Sequence, residues 1–320
     1  MREAAFLKQN SEKWNKYETE QTQNPDELAE RFIEVTDDLA YARTFYKGST
    51  TAQYLNGLAQ TFHQNIYRNK TEHVKRIKDF WFRELPLTVK DNHVKLMYAF
   101  IIFVIAIGIG ILSASVDDEF VRLILGDHYV NTTIENIKQG KPLAIYGSSD
   151  STMMFFEITF NNIKVSFFAF IAGLFFSWGT MMLLVYNGIM LGAFQYFFYK
   201  YGYLLTSVLT IWIHGTLEIS SIIIAGAGGF CLGNSILFPK TYTRLESFKN
   251  GAKSGLKLVM GLIPLFITAG FLESFVTRHA DVSKIMSASI ILSSAIFVIF
   301  YFIIYPIQLA KKHVGTTGKI

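Results

Sequence analysis

Residues 211–230 read IWIHGTLEISSIIIAGAGGF, an apolar, glycine-rich run that holds His214 and Glu218 four positions apart. Their role depends on whether the run crosses a bilayer, because polar side chains are costly in lipid. Runs of about 18 or more apolar residues read as membrane spans, and several follow one another here. The chain has 320 residues, 51% hydrophobic and 15% aromatic. Its charge is unevenly placed: residues 1–95 carry 15 of the 30 Lys+Arg and 14 of the 25 Asp+Glu. An all-α, polytopic membrane protein preceded by a charged helical segment is the expected fold class.

A net charge of +5 does not point to nucleic acid. The two signs nearly cancel in the N-terminal segment, and elsewhere the cations flank apolar runs, as they do at cytoplasmic membrane faces. The single cysteine, Cys231, excludes an intrachain disulfide and a cysteine-based metal site. The first 90 residues lack the short basic-then-apolar pattern of a cleavable leader. No nucleophile elbow, phosphate-binding loop or dinucleotide fingerprint is present, and no cofactor is expected.

Residues 1–93 are expected to form a helical cytoplasmic segment. Asn24 precedes Pro25 and Glu27 as a helix start, and Leu28, Phe32, Val35, Leu39, Ala42 and Tyr46 form an apolar stripe. A further helix carries Leu55, Leu58, Phe62 and Ile66. Near 70–85, Arg68, Lys70, Lys75, Arg76, Lys78 and Arg83 surround Phe80-Trp81-Phe82, which suits a helix in the lipid headgroups. Pro86 is expected to end it.

Six spans are expected within 94–310. They run at about 94–115, 162–185, 187–201, from about 211 to 238, 258–276 and 285–307. Residues 203–238 are too many for one straight crossing, so a short half-helix is expected before Ile211. The 239–257 loop and the 311–320 tail are basic, whereas 116–152 is mostly acidic. Both termini are therefore expected in the cytoplasm and 116–152 outside. Gly188 with Gly192 and Gly229 with Gly233 are small-residue pairs that allow close packing within one bundle or a homodimer.

On that topology His214, Glu218, Glu273, Glu157, Asn161, Asn162 and Lys164 all fall in the outer half of the membrane. Charged groups there cost about 2.5–3.5 kcal/mol at the bilayer centre by insertion scales, so they face the interior and find partners. Three roles fit. One is an interhelical hydrogen-bond cluster with Lys164 as counter-ion, another a proton or ion relay. The third is a metal site of His214, Glu218 and Glu273, for which there is no second intramembrane histidine; His279 falls in a turn.

The blocks NN at 161–162 with AGLFFSWGT and YNGIMLGAF, HGTLE with AGAGGFCLG, and AGFLESFVT resemble the stage II sporulation protein M family. The similarity covers about 94–307, and the opening MREAAFLKQNSEKWNKYE is similar to its longer, non-sporulation branch. The resemblance implies a multi-pass protein of the bacterial plasma membrane. In spore formers the family works with a peptidoglycan-cleaving protein and a second membrane partner. Its blocks single out Asn161, Asn162, Asn187, His214, Gly215, Glu218 and Glu273. The expected function is a scaffold or assembly factor of the cell envelope, with lipid and envelope proteins as partners. The alternative is a transporter or channel for a small solute or ion, and a membrane-embedded metalloenzyme ranks third.

Overall fold

A computed structural model describes residues 2–20, 22, 24–67, 73–140, 143, 151–277 and 283–317. Arg68, Lys70, Arg278 and His279 lie outside the described residues, as does most of 141–150. The chain forms two compact units, Met1–Arg76 and Ile77–Ile320.

In the first unit, α1 (Glu3–Thr19), α2 (Pro25–Phe45) and α3 (Thr50–Tyr67) share one core. Asn24 caps α2 by accepting from the Asp26 amide at 3.1 Å. The expected stripe is the buried one: Val35, Leu39 and Ala42 meet Leu55, Leu58 and Phe62, with Phe6 and Trp14 of α1. Polar bonds lock the core edges. Trp14 Nε1 donates to Asp38 at 2.8 Å, Tyr17 to Glu34 at 2.7 Å and Tyr54 to Glu18 at 2.8 Å.

Burial, and then the neighbouring carboxylate, push Tyr17 and Tyr54 each up from 10.0 to about 12. A raised phenol stabilises the fold fully below its ordinary value and loses that contribution as pH rises through about 12. Titration of phenolate absorbance should show both among the late-ionising tyrosines. Tyr17→Phe and Tyr54→Phe should each remove one phenol from that group; an unchanged late fraction would contradict the two bonds.

Pro86 does not end the basic-aromatic helix. α4 (His73–Asp79) passes through a π turn, Phe80–Glu84, into α5 (Leu85–Asp91), with Pro86 in its first turn. The wider π turn is where a proline's missing N–H is tolerated. Phe80 and Trp81 pack on the bundle core, and Tyr301 and Tyr305 donate to the carbonyls of Trp81 and Phe82 at 2.5 and 2.7 Å. Phe82 and Arg83 stay exposed.

Among the described residues six helical runs are long and apolar enough to cross a membrane, so the chain is an all-α, polytopic membrane protein. The spans are α6 (His93–Val116); α9 (Ser151–Ile171) with a 3-10 turn to Leu174; α10 (Trp178–Lys200); and α11 (Leu204–Leu237). The fifth joins α12 (Arg244–Met260), α13 (Ile263–Phe271) and the π turn Leu272–Thr277. The sixth joins α14 (Lys284–Ile299), the π turn Phe300–Ile304 and α15 (Tyr305–Thr317). Between the first two spans lie α7 (Asp118–Leu125) and α8 (Asp127–Lys138).

Three boundaries differ from expectation. The half-helix before Ile211 is absent: α11 is one helix of 34 residues. No proline or glycine lies between Leu204 and Ile211 to break it, and its length of about 51 Å exceeds a hydrocarbon core of about 30 Å. The break between the second and third spans falls at 175–177 instead of near 186, with Phe176 and Ser177 at positive φ of 53° and 69°. Asn187 does not interrupt α10, because its amide donates to the Leu183 carbonyl at 2.8 Å. The basic stretch from Arg244 is helical, begun by a capping box between Thr243 and Glu246. Its Lys257 pairs with Glu84 at 2.6 Å.

α11 is the axis of the unit, touching α6, α9, α10, α12, α13 and α14. Glycine permits the approach. Gly229 and Gly233 lie against Ala169, Gly173, Ser177 and Thr180; Gly188 and Gly192 lie against α6 between Phe103 and Ile111; and Gly255 meets Gly228. The two small-residue pairs are thus used inside one bundle.

Candidate functional site

Ten residues of α11 separate Leu204 from His214, about 15 Å along the axis. Glu218 follows one turn later on the same face. Glu273 and Thr277 are on the π turn that closes the fifth span. Asn162 comes from α9, which packs on both α11 and α13. Three spans therefore deliver side chains to one place.

There, His214 Nε2 lies 3.8 Å from Glu273 Oε2. The other ring nitrogen, Nδ1, is 3.1 Å from the Thr277 hydroxyl. Asn162 Nδ2 donates to Glu218 Oε1. One ligand atom from each of His214, Glu218 and Glu273 can be chosen so that all lie within 4.8 Å of one another. His214 is 4% exposed and the Glu273 side chain 13%.

The remaining residues singled out in the sequence go elsewhere. Asn161 and Lys164 sit on the exposed side of α9, and the Lys164 ammonium stands 5.9 Å from the centre of the Phe168 ring. Lys164 is not the counter-ion of the cluster: residues 161 and 164 share a helix face that residue 162 does not. Asn187 is engaged within α10, as above. Gly215 is buried, and a Cβ there would meet only Ile219 and Ile211 of its own helix at 3.8–3.9 Å.

Thr277 was missed by sequence reasoning. A threonine is an ordinary membrane-helix residue, and its position four after Glu273 was the one available signal. A second polar group was missed too. Asn92 Oδ1 accepts from Lys95 at 2.7 Å and from the Cys231 thiol at 3.1 Å, while its amide donates to Thr88 at 2.8 Å. Cys231 is free and buried.

This cluster lies within the stretch that identifies the chain. Residues 99–278 match the family described as stage II sporulation protein M, more than half of the sequence. The chain belongs to the stage II sporulation protein M family. Residues 4–68, most of the first unit, match a separate family described as a domain of unknown function (DUF8413). No curated protein and no solved structure matches the chain. Family membership and the six spans agree that this is a multi-pass membrane protein.

Chemically, the cluster is a set of acceptors with little donation among its own members. A buried carboxylate needs a proton, a hydrogen bond or a cation to offset lost hydration. Asn162 supplies one bond to Glu218. Among the described residues neither Glu218 nor Glu273 pairs with a lysine or arginine.

Proposed function

We propose that the chain is a scaffold or assembly factor of the cell envelope, held in the bacterial plasma membrane with both termini cytoplasmic and 116–152 outside. The observation that carries this reading is the glycine packing around α11, which brings helices to backbone contact and fixes them relative to one another. A frame of that kind suits holding partners in place. The sixth span is the least covered of the six, which leaves apolar surface for lipid or a membrane partner. The polar cluster favours a second reading, a transporter or channel for a small solute or ion, because intramembrane ionisable groups mark such paths.

Crosslinking in native cells with mass-spectrometric identification separates the two. A scaffold should recover the same envelope proteins at constant stoichiometry through gentle detergent purification, and liposomes holding the chain alone should show no solute-dependent flux. Flux without stable partners would replace the first reading with the second.

The orientation has its own test. Cysteine at Asn136, in α8, should react with an impermeant maleimide in intact cells or spheroplasts, and cysteine at Asn250, in α12, should not. The reverse pattern would invert the topology and move the cluster to the other leaflet.

A further inference from the structure

We propose that His214, Glu218 and Glu273 bind one divalent transition-metal ion, with Zn2+, which takes both imidazole and carboxylate ligands, as the probe. The inference is independent of the scaffold reading and rests on geometry.

The imidazole is oriented for ligation. In the tautomer whose Nδ1–H donates to Thr277 Oγ1, 3.1 Å away, Nε2 carries the ring's lone pair, and it faces the Glu273 carboxylate at 3.8 Å. That separation is too long for a hydrogen bond. An outer hydrogen bond on the far nitrogen is how metal-binding histidines are held in one tautomer. Glu218 is held in the same way, by the Asn162 amide on Oε1. Thr277 and Asn162 are thus positioning residues rather than ligands.

The three donor atoms converge from two helical runs, all within 4.8 Å of one another. A tetrahedral Zn2+ has ligands at about 2.0–2.2 Å, which places them about 3.4 Å apart. Small side-chain rotations bridge that difference. Three protein ligands would leave a fourth position open, as in zinc sites that keep one coordination position for water or substrate.

Charge makes the same point. Ligating carboxylates are deprotonated, so with an ion bound the two carboxylates and a neutral imidazole sum to −2 and the divalent ion brings the group to zero. Neutrality matters in a bundle where no lysine or arginine among the described residues pairs with either carboxylate. Lys164, the nearest cation in the sequence pattern, faces out over Phe168.

The test uses the full chain, purified in mild detergent without a polyhistidine tag, stripped with EDTA and reloaded with ZnCl2. Wild type should retain about one zinc per chain after desalting and melt at a higher temperature than the stripped protein. His214→Ala and Glu273→Gln should lose retained zinc. Thr277→Val and Asn162→Ala should weaken affinity about 10–100-fold, the usual effect of removing an outer hydrogen bond. Lys164→Ala should bind as wild type does. Where a variant fails to fold, wild type alone still decides: Co2+ should give the visible absorption of a four-coordinate nitrogen–oxygen site, and Zn2+ should displace it. Wild type that retains no zinc and shows no cobalt spectrum would overturn the proposal. So would equal retention by the combined His214→Ala, Glu218→Gln, Glu273→Gln variant. Zinc retention is measured without any partner, so its failure leaves the scaffold reading untouched, and the converse holds.

Discussion

Gly229→Ala should prevent the membrane unit from closing, whereas Gly108→Ala should leave it intact. A Cβ on Gly229 would run into the Thr180 hydroxyl and the Ala169 carbonyl, and the Thr180 Oγ1 to Ala169 hydrogen bond of 2.7 Å occupies that space. Backbone cannot rotate aside as a flexible side chain does, so α11 would have to move off α9 and α10. Overpacking costs about 1–3 kcal/mol where side chains can adjust. Against backbone the loss should reach at least about 3 kcal/mol. At Gly108, on α6, nothing lies within 4 Å of an added Cβ. There alanine only removes glycine's conformational penalty, a gain of about 0.5–1 kcal/mol. Melting temperature and the monodisperse fraction in detergent should separate the pair. Equal shifts would mean that the glycine contacts do not hold the bundle.

The cluster should behave as one unit. Glu218→Ala leaves the Asn162 amide without its acceptor and removes a member of the group facing His214 and Glu273. Leaving a buried donor without its acceptor costs about 1–3 kcal/mol, because the group stays desolvated. His214→Ala, Glu218→Ala and Glu273→Ala should each be costly, yet the triple variant should lose much less than the three losses added, because groups in one network share interaction energy. Glu218→Gln keeps an oxygen to accept from Asn162 and removes the charge. For a purely structural cluster it should retain both folding and partner recovery; where the charge itself matters it should fold and lose function. Thermal losses that simply add would mean that the three residues face separate neighbours.

Much of this architecture was legible without coordinates. Apolar length and the clustering of charge in residues 1–95 were enough for six spans behind a helical segment, because a bilayer forces backbone polar groups into helices. The stripe from Leu28 to Tyr46 identified the buried face of α2, since period alone fixes which side chains share a face. The one-turn spacing of His214 and Glu218 was readable for the same reason. Boundaries were not. A break near 186 was expected, yet α10 runs through it, while the real turn at 175–177 has Phe176 and Ser177 at positive φ. Half-helix and full helix have the same composition, so only the fold could show α11 to be continuous.

What the sequence determined by itself was the class of the protein and the side chains that had to find polar company in lipid. Which of them did so was decided by tertiary structure. Asn161, Asn162 and Lys164 are equivalent by composition, but successive helical residues point about 100° apart, and only Asn162 is turned toward α11. Likewise, nothing local marks Thr277 or Asn92 as partners of His214 and Cys231, which lie 63 and 139 residues away. Those pairings exist because glycine lets the helices come close enough for short side chains to reach across, and that approach belongs to the assembled bundle, not to any one segment of it.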